Sequence, residues 1–158
     1  MTGEKTQSVI LGFGNTILRD DGIGVSVGEE VAEQLGIEFE PCSMFGFEII
    51  DRISGYEQVF VIDSILVEEK QVGKLFEFDL EDFKNCRHIS SPHSTNFAGG
   101  LKVAEQLELS VPEEVKIFGI GVQNTNEFGT ELSQPLADQY ETIVGKIKKL
   151  ISNHIHHS

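Results

Sequence analysis

The chain has 158 residues, 39% hydrophobic and 24% charged, a balance typical of one globular domain. Acidic residues outnumber basic ones 26 to 12, which gives a formal net charge of −14 at pH 7. This charge disfavours binding to nucleic acid or to an anionic membrane, because both partners need Lys and Arg to neutralise their phosphates.

The absence of targeting signals from the sequence and the spacing of its cysteines predict a cytoplasmic protein. The sequence has no apolar run of about eighteen residues that could span a membrane, and residues 1–8 lack the apolar centre of a signal peptide. Cys42 and Cys86 are far apart and show no CxxC spacing, which suits reduced thiols rather than a disulfide or a zinc ribbon. Neither thiol has a sequence neighbour that would activate it, so we interpret both as bystanders.

Strand and helix patterns alternate along the chain. In chain order they predict a strand at Ser8–Phe13, a helix at Gly24–Leu35, a strand at Ile37–Ser43, a helix at Phe47–Ile53, strands at Val59–Asp63 and Lys74–Phe78, a helix from about Ser91 to Leu107, a strand at Val115–Gly121 and a helix at Ser133–Ile151. The alternation within Lys74–Phe78 favours a position near a sheet edge. Ser91 is a suitable N-cap for the third helix, and Pro92 fits its first turn.

This alternation predicts an α/β fold, a three-layer αβα sandwich with a largely parallel five-stranded sheet. We expect residues 1–158 to form a single domain, with a core at about 8–151 and a polar tail at 152–158. The tail contains His154, His156 and His157. Disorder of this tail is a better interpretation than metal chelation.

Polar residues near the predicted strand ends indicate a functional crevice, because ligands of α/β sheets bind beyond the carboxyl ends of the strands. Asp20 and Asp21 follow the first strand, Asp63 ends the third, and His93 opens the helix after the fourth. Two carboxylates and one imidazole would suit Zn²⁺, Ni²⁺ or Fe²⁺ with open coordination positions. Helix capping explains one acid of the pair equally well, so the spacing leaves the choice between Asp20 and Asp21 open.

The glycine-rich turn after the first strand does not match a nucleotide site. Gly12 and Gly14 are followed by Ile17 where the dinucleotide fingerprint has glycine, and no Gly-Lys-Ser/Thr follows as in a P-loop. Asn15 in this turn either orients a group in the crevice or has a purely structural role.

The segment Gly12–Gly24 resembles the GxGNxLxxDDGxG signature of the [NiFe]-hydrogenase maturation proteases. Further motifs resemble the same family in order: Gly46–Ile50 its G-x-E-L-L, Val61–Ser64 its V-D-A, Ser91–Ser94 its S-P-H, Gly121–Gln123 its G-x-Q and Gly129–Ser133 its G-x-x-L-S. Two segments differ from the family pattern: Pro41–Met44 replaces D-G-G-T, and Asn124 follows G-x-Q in place of proline. The resemblance covers about residues 8–150.

The resemblance implies an endopeptidase that removes the C-terminal extension of a nickel-loaded hydrogenase large-subunit precursor. It implies that Asp21, Asp63 and His93 are the metal-binding and catalytic residues, and so selects Asp21 over Asp20. The metal is nickel or another divalent transition ion, held by the enzyme itself or brought as the nickel of the substrate. A hydrolase of aspartic or metal-dependent type is therefore predicted, with the precursor as its partner.

Two other functions remain open at this stage. One is a non-proteolytic α/β binding module that senses a metal or a metal-loaded precursor without cutting it. The other is a nucleotide-binding regulator. Binding without turnover would favour the module, and thermal stabilisation by nucleotide would favour the regulator.

Overall fold

The computed structural model describes residues 7–42, 47–79, 92–123 and 127–155, and for residues 47–48 and 92–98 it describes the backbone alone. The strands are β1 (Ser8–Phe13), β2 (Glu38–Cys42), β3 (Gln58–Leu66), β4 (Leu75–Asp79) and β5 (Glu114–Val122). The α-helices are α1 (Ile23–Leu35), α2 (Phe47–Ile53), α3 (Pro92–Gln106), α4 (Gln134–Ala137) and α5 (Tyr140–Ile155). Short 3-10 turns lie at Arg19–Gly22 and Glu69–Gln71.

The five strands form one sheet in the order β2-β1-β3-β5-β4. Strands β2, β1, β3 and β5 are parallel, and β4 pairs antiparallel with β5 at the edge. The first strand lies beside the third, as a crevice shared by Asp21 and Asp63 requires. Because parallel strands end at the same side of a sheet, their carboxyl ends form a common rim.

Both faces of the sheet are covered by helices. Val9 and Leu11 of β1 pack with α2 and α3 in one core, whereas Ile10 between them packs with α1 and α5 in the other. This alternation follows from the two-residue period of a strand, which sends successive side chains to opposite faces. The predicted αβα sandwich with a largely parallel five-stranded sheet is thus confirmed. None of the helices in the described ranges is long and apolar enough to cross a membrane.

Two predicted elements differ from the structure by more than one residue at an end. The strand predicted at Val59–Asp63 continues to Leu66, because β5 pairs with it as far as Leu66. The single closing helix predicted at Ser133–Ile151 is wrong, since it divides into α4 and α5. At the break the N–H of Gln139 donates to the carbonyl of Leu136, three residues back, and the Gln139 side chain donates to the carbonyls of Pro135 and Val72.

The last turn of α5 is attached to the sheet. The helix continues to Ile155, beyond the predicted end at Ile151. The Nε2 atom of His154 lies 3.2 Å from Oε1 of Glu77, and its Nδ1 atom lies 3.3 Å from Oε1 of Glu114. The Nε2 group of Gln58 donates to the carbonyl of His154 at 3.3 Å. His154 is therefore an anchor at the amino ends of β3 and β5, not part of a disordered tail; His156 and His157 lie outside the described residues.

Candidate active site

The loop after β1 places the Asp21 carboxylate at the rim of the sheet. Gly14 has φ +143°, and a Cβ there would collide with the carbonyl oxygen of Asp21, so only glycine lets the chain fold back this tightly. The backbone N–H of Asn15 then donates to Oδ2 of Asp21 at 2.8 Å. Gly24 packs against the carbonyls of Phe13 and Ile62 without room for a Cβ, which holds the start of α1 against the rim.

Asp63 lies on β3 just past the end of its neighbour β1. The last paired residue of β1 on this side is Gly12, which is opposite Ile62, whereas β5 continues to pair with Asp63 through Gly119. The Asp63 side chain is only 1% exposed. Its Oδ1 atom accepts the backbone N–H of Ser64 at 2.8 Å, as a buried carboxylate requires.

Ser64 connects the two acids. Its backbone N–H is bonded to Asp63, while its hydroxyl donates to Oδ1 of Asp21 at 3.5 Å. Asp21 belongs to the loop before α1 and Asp63 to β3, so the fold brings together two carboxylates that are separated by 42 positions in the sequence. This geometry agrees with the expectation that the two acids share one rim.

His93 is the second residue of α3, and its side chain lies outside the described part of the structure. Leu101 and Ala104 further along α3 pack in the same core as Val59 and Val61 of β3. Among the side chains that the structure does describe, no three from His, Cys, Asp and Glu form a group able to hold a metal. The structure therefore places the two carboxylates, and the assignment of Asp21, Asp63 and His93 as metal ligands stays a prediction.

Asp20 has a structural role different from either interpretation of the acid pair. It is 4% exposed, and both of its carboxylate oxygens accept hydrogen bonds from Ser133. Both acids lie in the first turn of the 3-10 helix before α1, but the N-cap residues of that turn and of α1 make no side-chain capping hydrogen bond. Asp20 instead joins the loop after β1 to the residue that precedes α4.

The segment 127–133 lies against the same loop through its backbone. The N–H of Gly129 donates to the carbonyl of Ile17 at 2.8 Å, and the N–H of Arg19 donates to the carbonyl of Gly129 at 2.9 Å. The guanidinium of Arg19 lies 3.4 Å from Oε2 of Glu127. The loop within Gly12–Gly24 and the segment 127–133, which are far apart in the sequence, thus form one continuous wall beside Asp21.

Asn15 and Cys42 are structural in this geometry. The Oδ1 atom of Asn15 accepts the N–H of Ile17 at 3.1 Å, the hydrogen bond of an Asx turn. Cys42 is 2% exposed, and burial, with a contribution from the Glu40 carboxylate, raises the pKa of its thiol to about 12. The interpretation of Cys42 as an unreactive thiol is therefore supported; Cys86 and Asn124 lie outside the described residues.

An open groove lies at the carboxyl end of β3. It has a volume of about 660 Å³. Its lining residues are Ile65, Leu66, Val67, Glu68, Gln71, Phe76 and Phe78. Ile65 follows Asp63 by two positions on β3, so the two side chains leave the strand on the same face. Phe76 of β4 is opposite Gly119 of β5, which in turn is opposite Asp63, and the side chain of Ile65 lies over Gly119.

The sequence analysis assigned no role to Ser64 or to the contact between Asp20 and Ser133. The sequence feature that could have drawn attention to Ser64 is its position directly after Asp63, the last residue of the predicted strand. No local pattern links Asp20 to Ser133, because 113 positions separate them.

Comparison with known proteins identifies the family. The HycI hydrogenase maturation protease family matches residues 44–150. A [NiFe] hydrogenase maturation protease, HybD from Thermococcus kodakarensis, is 27% identical with a TM-score of 0.74, covering 91% of this chain and 98% of its own.

Two further solved structures share the fold. The hydrogenase maturating endopeptidase HybD from E. coli is 19% identical with a TM-score of 0.74, covering 94% of this chain and 93% of its own. The [NiFe] hydrogenase maturation protease HycI from Thermococcus kodakarensis KOD1 is 19% identical with a TM-score of 0.63, covering 94% of each chain. None of the curated proteins matches this chain. Because the family match extends over more than half of its residues, the chain belongs to the hydrogenase maturation protease family.

Proposed function

We propose that this protein is an endopeptidase that removes the C-terminal extension from a [NiFe]-hydrogenase large-subunit precursor after nickel has been inserted. Asp21, Asp63 and His93 are its catalytic and metal-binding residues in this proposal. The family supports a hydrolase acting on peptide bonds. The choice of precursor, the nickel requirement and the part played by the acids belong to the proposal.

The observation that carries the proposal is the meeting of Asp21 and Asp63 at Ser64. A carboxylate that is 1% exposed and a second carboxylate hydrogen-bonded through the same serine form an acidic pair at the rim of the sheet. Burying a carboxylate costs free energy, so a fold retains one at this position only where hydrogen bonds or an opposite charge compensate it. Pairs of this kind occur where a cation or a proton is to be held.

The chemistry of the donors fits a divalent transition metal. Carboxylate oxygens from Asp21 and Asp63 with an imidazole nitrogen from His93 would give three ligands and leave positions open for substrate. A metal bound there would polarise the scissile carbonyl. Nickel carried by the precursor would be part of the substrate, and the same three residues would then recognise it.

The remaining chemistry rests on the acids themselves. Hydrolysis forms a bond from the water oxygen to the carbonyl carbon, breaks the carbon–nitrogen bond and moves one proton from the water to the leaving amine. A carboxylate of the pair accepts that proton and then delivers it to the nitrogen. The hydrogen bond from Asn15 N–H to Asp21 keeps that carboxylate oriented while the proton moves.

The groove beside Asp63 supports a peptide substrate in preference to a small molecule. It is open along one side and is lined mostly by apolar side chains such as Ile65 and Phe76, together with the polar Glu68 and Gln71. An extended segment of chain could lie in it with a peptide bond next to Asp63, because Ile65 and Asp63 share one face of β3.

The proposal is tested by mixing the purified protein with nickel-loaded hydrogenase precursors and measuring the C-terminal mass by mass spectrometry. We expect one precursor to lose its C-terminal extension, and we expect the same precursor without nickel to remain intact. The variant Asp63→Asn serves as the control, since it keeps the side-chain volume and removes the charge.

Binding of the loaded precursor with no change in its mass would contradict the proposal and favour a non-proteolytic binding module. Cleavage of loaded and unloaded precursor at equal rates would retain the endopeptidase and remove the nickel requirement.

A further inference from the structure

Ser64 makes one hydrogen bond to each acid of the pair, and it makes them with different groups. Its backbone N–H donates to Asp63 at 2.8 Å, and any residue at this position could form that bond. Its hydroxyl donates to Asp21 at 3.5 Å, and this bond depends on the side chain. The serine is 6% exposed, so water has little access to take the place of the hydroxyl.

The two hydrogen bonds of Asp21 come from opposite ends of its carboxylate. Asn15 donates to Oδ2 from the backbone of its own loop, and Ser64 donates to Oδ1 from the neighbouring strand. A bond within the loop fixes the carboxylate relative to the loop alone. Among the described side chains, the Ser64 hydroxyl is the group that fixes it relative to β3, which is the strand that carries Asp63.

We propose that Ser64 is a positioning residue that sets the orientation of the Asp21 carboxylate with respect to Asp63. For its effect on turnover the inference rests on the proposed function. The orientation of Asp21 itself is measurable without any substrate.

Ser8 offers a matched control on the same sheet. It too is 6% exposed, and its hydroxyl donates to Oε1 of Gln58 at 2.8 Å. This serine lies at the amino end of β1, opposite Gln58 at the start of β3, whereas Ser64 lies beyond the carboxyl end of β1. Ser8→Ala therefore removes a buried serine hydroxyl and its hydrogen bond without touching the acids.

The test compares Ser64→Ala and Ser8→Ala with the parent chain in two measurements that need no precursor. The first is the three-bond NMR couplings that report χ1 of Asp21, and the second is the affinity for Zn²⁺ by titration calorimetry. For Ser64→Ala we expect averaged Asp21 couplings and roughly threefold to tenfold weaker Zn²⁺ binding, as the loss of one hydrogen bond to a ligand implies. For Ser8→Ala we expect both quantities to match the parent, even where its thermal midpoint falls.

An unchanged Asp21 rotamer and Zn²⁺ affinity in Ser64→Ala would overturn the inference. Equal changes in both variants would overturn it too, since they would reflect general loosening of the sheet. If the parent chain binds no Zn²⁺, the Asp21 couplings alone decide. With the precursor, we expect Ser64→Ala to lower kcat and leave KM unchanged. Failure of the parent chain to process any precursor would refute the proposed function, and the couplings would still test Ser64.

Discussion

Asp20 accepts two hydrogen bonds from Ser133, with its Oδ1 atom 2.7 Å from the backbone nitrogen and its Oδ2 atom 2.7 Å from the hydroxyl. The neighbouring Asp21 makes no such contact and instead faces Asn15 and Ser64. The adjacent acids therefore have separate roles. Asp20 attaches the loop after β1 to the segment before α4, whereas Asp21 faces the rim, where we propose that it takes part in the chemistry.

Substitutions at Asp20 should affect stability according to whether the N–H of Ser133 keeps an acceptor. Asparagine retains an oxygen for that N–H, and its amide can donate to the serine hydroxyl, so we expect Asp20→Asn to process precursor at nearly the parent rate. Alanine leaves the N–H of Ser133 without the acceptor that the Asp20 carboxylate provides. We expect Asp20→Ala to lower the free energy of unfolding by about 1–3 kcal/mol, measured by urea denaturation.

Ser133→Ala is the matched variant, because it removes the hydroxyl and keeps the backbone N–H. Its loss of stability should be smaller than that of Asp20→Ala, at about 1 kcal/mol. An inactive Asp20→Asn enzyme with parent-like stability would contradict these roles and move the metal ligand one residue upstream.

The architecture was predictable because its signals are local. The apolar run of Ser8–Phe13 is buried on both faces, and a strand in the middle of a parallel sheet has such a sequence. The strand at Lys74–Phe78 was placed near an edge from its alternation, and β4 is an edge strand whose side chains are only partly buried. The spacing of hydrophobic residues along a strand directly reflects whether the strand is buried on both faces or lies at an edge.

Contacts between distant segments were not predictable in this way. The extension of β3 beyond Asp63 depends on β5, which supplies partners as far as Val122. The break between α4 and α5 depends on the Gln139 side chain reaching the carbonyl of Val72. The acids are an intermediate case: the strand-end rule brought Asp63 to the rim, but only the resemblance to a family distinguished Asp21 from Asp20.

Metal affinity should depend on His93 and not on the terminal histidines. We expect His93→Ala to weaken Zn²⁺ binding, measured by titration calorimetry, because it removes one of three ligands. The comparison variant should lack residues 156–158 only, since His154 lies between Glu77 and Glu114 and its loss would disturb α5. Loss of binding on removal of residues 156–158 would instead place the metal at the terminus.

The Cys42 thiol should be inert while the chain is folded. Its pKa is raised from 9.0 to about 12, and alkylation requires the thiolate. In a Cys86→Ser background, we expect iodoacetamide at pH 8 to label native Cys42 at least about a thousandfold more slowly than the urea-unfolded chain. Rapid labelling of the native chain would contradict the burial of this thiol.

The same pKa shift has a consequence for alkaline stability. The unfolded thiol ionises near pH 9, whereas the folded thiol stays protonated until about pH 12. The contribution of Cys42 is thus fully present below pH 9 and is lost as the pH rises toward 12. We expect the free energy of unfolding of Cys42→Ala to fall less steeply over this interval than that of the parent.

Asp21→Asn separates catalysis from structure at the centre of the site. The amide keeps an oxygen for the N–H of Asn15, and its nitrogen can donate to the Ser64 hydroxyl, so the loop should retain its conformation. The substitution removes the negative charge that would hold a cation or take up a proton. We therefore expect a nearly unchanged thermal midpoint by calorimetry and at least about a hundredfold slower processing by mass spectrometry. Asp20→Asn removes the same charge one residue earlier and serves as the control. A general effect of charge would slow both variants equally, whereas a role of Asp21 in the chemistry slows Asp21→Asn alone. An Asp21→Asn enzyme that cleaves the precursor at the parent rate would exclude Asp21 from the chemistry.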